Sequence, residues 1–301
     1  MELFFQQLTN GLAVGGIYAL IALGYTMVYG VLKLINFAHG DLFTIGAYLG
    51  LTLLTAMGLT DHLGPLWGCI LLAAMVMGLV ALVGAILERV AYRPLRTSHR
   101  LSAVVSALGA SIFFQNAIML IYGARFRVYP HNILPKMAVN LFGLDIPLIR
   151  IIILLSSIIM MVVLYVYIHK TRIGMAIRAA AIDQGAAKLM GIDVNRVILI
   201  VFLIGPALGG VAGVMVGLYY GQINFTMGWM YGMKAFIAAI LGGIGNIPGA
   251  MVGGLLLGVI EAMGAAYISI AWKDAIAFVV LILILIVRPT GILGERVAEK
   301  I

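Results

Sequence analysis

A chain of 301 residues that is 63% hydrophobic and 10% charged, with mean hydropathy +1.14, cannot be a water-soluble domain, because such domains carry about 25% charged residues. Its net charge of +8 is not a nucleic-acid footprint, since the basic residues lie mostly in short loops between apolar runs. One cysteine, Cys69, sits inside such a run and rules out an intrachain disulfide.

The N-terminal Met1-Glu-Leu-Phe-Phe-Gln-Gln lacks the basic segment of a cleavable signal, so the first apolar run reads as a retained span. A span needs about 20 apolar residues. In chain order the runs fall at 8–31, 40–59, 66–88, 101–123, 149–168, 197–220, 229–245, 249–269 and 273–288. The expected class is an all-α polytopic membrane helix bundle of about 8–9 passes, forming a single domain over 1–301. Tight, Gly-rich joints link 8–31 to 40–59 and 229–245 to 249–269, so a re-entrant or broken helix is expected in one of these pairs.

Basic residues orient this bundle. Lys33, then Arg89, Arg93, Arg96 and Arg100, then Lys170, Arg172, Arg178, Lys188 and Arg196, and finally Arg288, Arg296 and Lys300 all follow an odd number of passes. That side is expected to be cytoplasmic, with the N-terminus outside and the C-terminus inside. The loop 124–148, with Arg125, Arg127, Lys136 and the nearby Arg150, fits this rule least well.

Gly205, Gly209, Gly213 and Gly217 keep a four-residue spacing, as Gly249 and Gly253 do and Gly254 and Gly258 do. Small residues so placed let helices approach closely in a bilayer; a helix break that opens a cavity is the functional alternative. Ile35-Asn36-Phe37-Ala-His-Gly40 returns as Ile223-Asn224-Phe225-Thr-Met-Gly228, each copy ahead of a Gly-containing apolar run. With the first copy at the cytoplasmic face and the second at the outer face, this is the arrangement of an inverted-topology repeat. A chance echo in so apolar a chain is the competing reading.

The polar residues inside runs are few and costly, hence candidates for function. Lys234 and Glu261 fall at matching depths on either side of the turn near 245–247 and are expected to form an ion pair, structural rather than substrate-binding. Asn36 would cap a helix or hold its broken end. His39 and Asp41 would make a proton site only with a third partner, which the sequence does not offer. Gln115 and Asn116 would bond between helices or line a path, and Asn224 belongs to the second motif copy. Glu88, beside Arg89, is expected at the membrane interface. Gly109-Ala-Ser111-Ile-Phe113 faintly resembles the serine motif of intramembrane proteases. Those need a histidine in a later span, and His131 and His169 fall outside or at the edge of spans, so no enzyme is expected. No metal-spaced His/Cys group occurs.

No GxxxxGK followed by Ser or Thr occurs, so the chain does not cradle ATP by that device. The basic, Ala-rich loop 169–196 predicts two short helices, Met175 to Ala181 and Gln184 to Met190. Asp183 caps the second and Gly191 ends it. Such a pair suits a docking surface for another protein, or an ordinary amphipathic surface loop.

Tyr18-Ala-Leu-Ile-Ala-Leu-Gly-Tyr-Thr-Met-Val-Tyr-Gly, the first Ile-Asn-Phe block, Glu88-Arg-Val-Ala-Tyr-Arg-Pro-Leu-Arg96, Ser111-Ile-Phe-Phe-Gln-Asn116, Gly232-Met-Lys-Ala-Phe236, Leu241-Gly-Gly-Ile-Gly-Asn-Ile-Pro-Gly-Ala250 and Pro289-Thr-Gly-Ile-Leu-Gly294 occur in collinear order. Together they closely resemble the branched-chain amino-acid ABC transporter permeases of the LivH type, across essentially the whole chain. The resemblance implies a permease in a bacterial-type inner membrane, without a cofactor of its own. It implies a second homologous permease, two cytoplasmic ATP-binding subunits and an extracytoplasmic substrate-binding protein. It makes 169–196 the segment that seats on an ATPase, through Arg178, Asp183, Ala186, Ala187 and Gly191. Gly185-Ala-Ala-Lys-Leu-Met-Gly191 keeps the spacing of the importer motif EAAxxxG, with Gly185 in place of its Glu. Leucine, isoleucine and valine are the expected substrates. Urea, short amides or other amino acids are the alternative, and an independent secondary transporter is a further one.

Overall fold

The computed structural model describes residues 2–57, 65–96, 98–130, 137–141 and 144–294. The helices are α1 (Glu2–Leu32), α2 (His39–Met57), α3 (Pro65–Leu87), α4 (Arg100–Tyr122), α5 (Leu148–Lys170), α6 (Arg172–Ile182), α7 (Gln184–Leu189), α8 (Val194–Tyr220), α9 (Met227–Gly242), α10 (Ile247–Tyr267) and α11 (Lys273–Val287). A π-turn (Glu88–Tyr92) and a 3₁₀ turn (Arg93–Leu95) follow α3. Each of the nine apolar runs corresponds to a helix. By length and hydropathy, α1, α3, α4, α5, α8 and α10 qualify as membrane spans, while α9 is shorter. The loop between α4 and α5 holds strands that the all-α reading did not include: β1 (Arg127–Val128), β2 (Ala138–Leu141) and β3 (Leu144–Pro147). β2 and β3 pair antiparallel, and β1 pairs antiparallel with β4 (Gln222–Ile223). His131, Lys136, Arg296 and Lys300 lie outside the described residues.

The helices differ sharply in burial. The apolar window of α1 is 94% buried and that of α8 is 78%, against 17% for α4. So α1 and α8 form the bundle's spine and α4 lies at its periphery. Glycine makes the spine possible. A Cβ on Gly258 would stand 2.3 Å from the Gly15 backbone, and one on Gly254 2.4 Å from that of Ala19, so α1 and α10 touch almost backbone to backbone. Along α8, Gly205 rests on Gly24, Gly213 on the Phe43 carbonyl and Gly217 on the Tyr129 ring. Pro206 has no N–H to bond Phe202 four residues earlier, and Gly84 of α3 lies against that Phe202 carbonyl.

Two sets of helices are interlocked as an inverted repeat. α1 packs on α10 as α8 packs on α3; α2 packs on α8 as α9 packs on α1; α2 meets α4 as α9 meets α11. The contacts 84 with 202 and 206, and 80 with 210, show that α3 and α8 run antiparallel, as do 15 with 258 and 19 with 254 for α1 and α10. Helices α5, α6 and α7 lie between the two sets in sequence. The motif copies begin at opposite ends of the bundle, but they do not remain at opposite faces as the sequence reading had placed them. They converge inside. Both half-helices start there, Gly40 against Gly228 and Gly232, with a Cβ on Gly40 only 2.2 Å from the Gly228 carbonyl oxygen. α2 then leaves toward the end that carries Tyr129, and α9 toward the end that carries α6 and α7. α2 and α9 belong one to each Gly-rich pair, but the non-helical stretch of the second copy lies between α8 and α9 and not at the Gly-rich joint between α9 and α10.

Candidate functional site

At one end of the bundle, α6 and α7 form a hairpin across the ends of α1, α5 and α8. Thr171 caps α6 by accepting a hydrogen bond from the Gly174 N–H at 3.0 Å. Asp183 separates the two helices: its Oδ1 accepts from the N–H groups of Gly185 (2.7 Å) and Ala186 (3.0 Å), satisfying donors that a helix start leaves free. Gly191, at φ +82°, turns the chain out of α7 in a conformation that costs an L side chain. Asp193 then caps α8 through the N–H groups of Asn195 and Arg196.

The predicted residues of this segment separate into two groups. Ala186 and Gly191 are exposed, and Ala187 is buried against the bundle. Arg178 is half-buried, and its guanidinium donates to the Ile168 carbonyl at 2.8 Å, linking α6 to the end of α5. Sequence reasoning missed Ile182, Leu189 and Met190, which are large, apolar and 88%, 90% and 82% exposed at the hairpin tip. It also missed Gln184, whose amide donates to the Val31 carbonyl at 2.7 Å and ties α7 to the last turn of α1. The exposed apolar pair Leu189-Met190 directly before a capping glycine was the signal available.

From Val31 the chain enters the first motif. Lys33 stands at φ +54°, outside the helical region, where the chain reverses. Asn36 is buried; its Oδ1 accepts from the Ala38 N–H (3.1 Å) and from the Tyr92 hydroxyl (2.8 Å), so it both shapes the break and anchors it to the π-turn. Asn224, at the equivalent position of the second copy, accepts instead from the Thr226 side-chain hydroxyl at 3.3 Å, and it lines a cavity of about 170 Å³ with Phe126, Tyr220, Met227 and Tyr231.

His39 is fully buried against Tyr25 and Gly24. The Asp41 carboxylate accepts from Ser111 of α4, and Gln115 donates to the same hydroxyl at 3.4 Å. His39 and Asp41 thus face different neighbours. Asn116 does not bond between helices: it is exposed and donates to the Ile112 carbonyl of its own helix at 2.8 Å. Glu88, directly after α3, is buried within the protein and pairs with Arg96, which also donates to Asn195 at 2.7 Å. Burial holds the Arg96 guanidinium below its ordinary value, and the Glu88 carboxylate opposes that shift.

Lys234 lies 2.7 Å from Glu261 Oε1, and Tyr18 donates to Oε2 at 2.7 Å. Two further charges, invisible as partners in the sequence, complete the group: Asp274, 2.7 Å from Lys234, and Lys273, 3.5 Å from Glu261. Two cations and two carboxylates with a phenol donor form a neutralised cluster joining α1, α9, α10 and α11. Among the described residues no cluster of His, Cys, Asp and Glu could hold a metal ion.

Residues 7–285 match the family described as branched-chain amino acid transport system, permease component. The chain belongs to this family. It is 45% identical to the high-affinity branched-chain amino acid transport system permease protein LivH of Escherichia coli (strain K12), covering 99% of this chain and 98% of that one. It is 47% identical to the permease protein BraD of Pseudomonas aeruginosa over the same shares. A probable branched-chain amino acid transport permease LivH of Methanocaldococcus jannaschii is 28% identical over 95% of this chain. These relatives are transport permease components, and the chain is a multi-pass membrane permease like them.

Proposed function

We propose that this chain is one of two membrane-spanning subunits of an importer carrying branched-chain amino acids across a bacterial-type cytoplasmic membrane, with ATP hydrolysed on separate subunits. The end-to-end relationship to LivH and BraD carries this reading. The end with α6 and α7 is then cytoplasmic, in keeping with Lys33, Arg89, Arg93, Lys170, Arg172, Lys188, Arg196 and Arg288 at that end. The opposite end receives substrate from an extracytoplasmic binding protein.

In this reading an ATP-binding subunit grips the hairpin tip at Leu189 and Met190. Gly185 carries no charged contact, so apolar burial supplies the hold. Movement of α7 passes through Gln184 to Val31, and so to the reversal at Lys33 and the start of α2. The two motif copies meet there, so a shift of one half-helix past the other would alternate access. The charge cluster at Lys234 and Glu261 is satisfied by its own members and acts as a structural clasp.

The test is reconstitution with the two ATP-binding subunits, the second permease and the binding protein in liposomes. Leucine uptake that needs ATP, competed by isoleucine and valine but not by urea or acetamide, is the expected outcome. Uptake by this chain alone without ATP would overturn the coupled reading. Competition by urea or acetamide would reassign the substrate.

A further inference from the structure

The block Glu88–Arg96 is not used by the mechanism above, yet it borders a groove of about 480 Å³ between the end of α3 and the start of α8. One wall is apolar: Leu82, Ile86 and Leu199, all exposed, with Leu82 59% and Ile86 61% accessible. These residues belong to spans, so the wall opens sideways into lipid. The other border is charged. Arg89 and Arg93, four apart and straddling the junction of the π-turn with the following 3₁₀ turn, are both exposed and line the groove.

The carboxylates nearby are already committed. Glu88 is held by Arg96, and Asp193 caps α8 and pairs with Arg196 at 3.1 Å. Arg89 and Arg93 form no ion pair among the described residues. A groove with an apolar wall open to lipid and two unneutralised guanidinium groups at the water end matches one chemistry: a phosphate carrying hydrocarbon chains.

We propose that this groove binds an anionic phospholipid. Its phosphate sits against Arg89 and Arg93, and an acyl chain lies along Leu82, Ile86 and Leu199. The guanidinium fork suits phosphate oxygens better than a zwitterionic headgroup, whose own ammonium opposes the arginines. The bound lipid would hold the ends of α3 and α8 together beside the hairpin, independently of which substrate is carried.

The test uses the full chain, purified in mild detergent with the subunits it is expressed with, and native mass spectrometry. Dioleoylphosphatidylglycerol should bind about tenfold or more tightly than dioleoylphosphatidylcholine. Arg89→Gln/Arg93→Gln should abolish that preference, and Leu82→Trp/Ile86→Trp, which fills the groove and leaves the charges, should reduce binding of both lipids. Arg125→Gln, at the opposite end, should keep the preference. Unfolding curves check that each variant is folded before binding is compared. Equal binding of the two lipids, or a preference that survives the arginine changes, overturns the proposal. Full displacement by inorganic phosphate assigns a soluble anion instead, and loss of an ATP-binding subunit with lipid binding unchanged assigns a protein contact; either outcome overturns it.

Discussion

Gly40 and Gly228 meet backbone to backbone where α2 and α9 cross, each the last residue of one copy of the Ile-Asn-Phe motif. A Cβ on Gly228 would lie 2.4 Å from the Thr44 hydroxyl and 2.5 Å from the Gly40 carbonyl oxygen. Backbone atoms cannot swing aside as the end of a side chain can. Gly40→Ala and Gly228→Ala should each destabilise the protein by about 1–3 kcal/mol or more. Gly109→Ala, which meets nothing within 4 Å, should be near neutral. Thermal unfolding in detergent separates these, and equal melting temperatures for the three variants would refute the crossing.

The Asn36 anchor predicts a graded pair of effects. Tyr92→Phe removes one hydrogen bond to Asn36 and should cost about 0.5–1.5 kcal/mol. Asn36→Ala removes that bond and the one from the Ala38 N–H, leaving buried donors unmet, and should cost about twice as much. If the two variants unfold together, Asn36 does not hold the break.

The charge cluster predicts asymmetry. Lys234→Met leaves Glu261 buried with the Tyr18 hydroxyl at 2.7 Å but no cation nearer than Lys273 at 3.5 Å, and should cost about 3–5 kcal/mol. Lys234→Met/Glu261→Gln should recover part of that loss, because the carboxylate then left without Lys234 is Asp274, whose side chain is 34% exposed, and no longer the buried Glu261 as well. A double-mutant cycle by denaturant unfolding measures the coupling. Additive losses would mean that the two groups do not act as a pair.

Gln184→Ala should separate ATP hydrolysis from transport. The variant keeps the hairpin tip but loses the 2.7 Å bond to Val31. Subunits should still associate, while the leucine transported per ATP hydrolysed falls several-fold. An unchanged ratio would remove Gln184 from the linkage.

The tip itself is tested by Leu189→Asp and Gly191→Arg. A charge at a position 90% exposed should leave the folded chain intact but weaken its hold on an ATP-binding subunit by about 1–3 kcal/mol, the value of one buried apolar side chain. Gly191→Arg adds strain at φ +82° and should abolish uptake. Co-purification and uptake are the readouts, and full retention of both would place the docking surface elsewhere.

What the sequence alone determined is what local chemistry controls. Apolar run length placed nine helices, because lipid selects for length and hydropathy whatever the neighbours are. Asp183 and Gly191 marked the ends of α7, since a cap is a contact between residues two or three apart. The matching depths of Lys234 and Glu261 followed from helix rise across one turn. Tertiary structure decided the rest. The sequence contained both motif copies but placed them at opposite faces, because where two half-helices cross depends on glycine surfaces brought together from distant segments. Asp274 and Lys273 join the charge cluster only because α11 packs beside α9 and α10. Arg178 reaches the end of α5 through the Ile168 carbonyl, and Asn116 donates within its own helix. Gly40 and Gly228 were legible as small residues after an echoed motif; that they touch was decided by the packing of α1 and α8 around them.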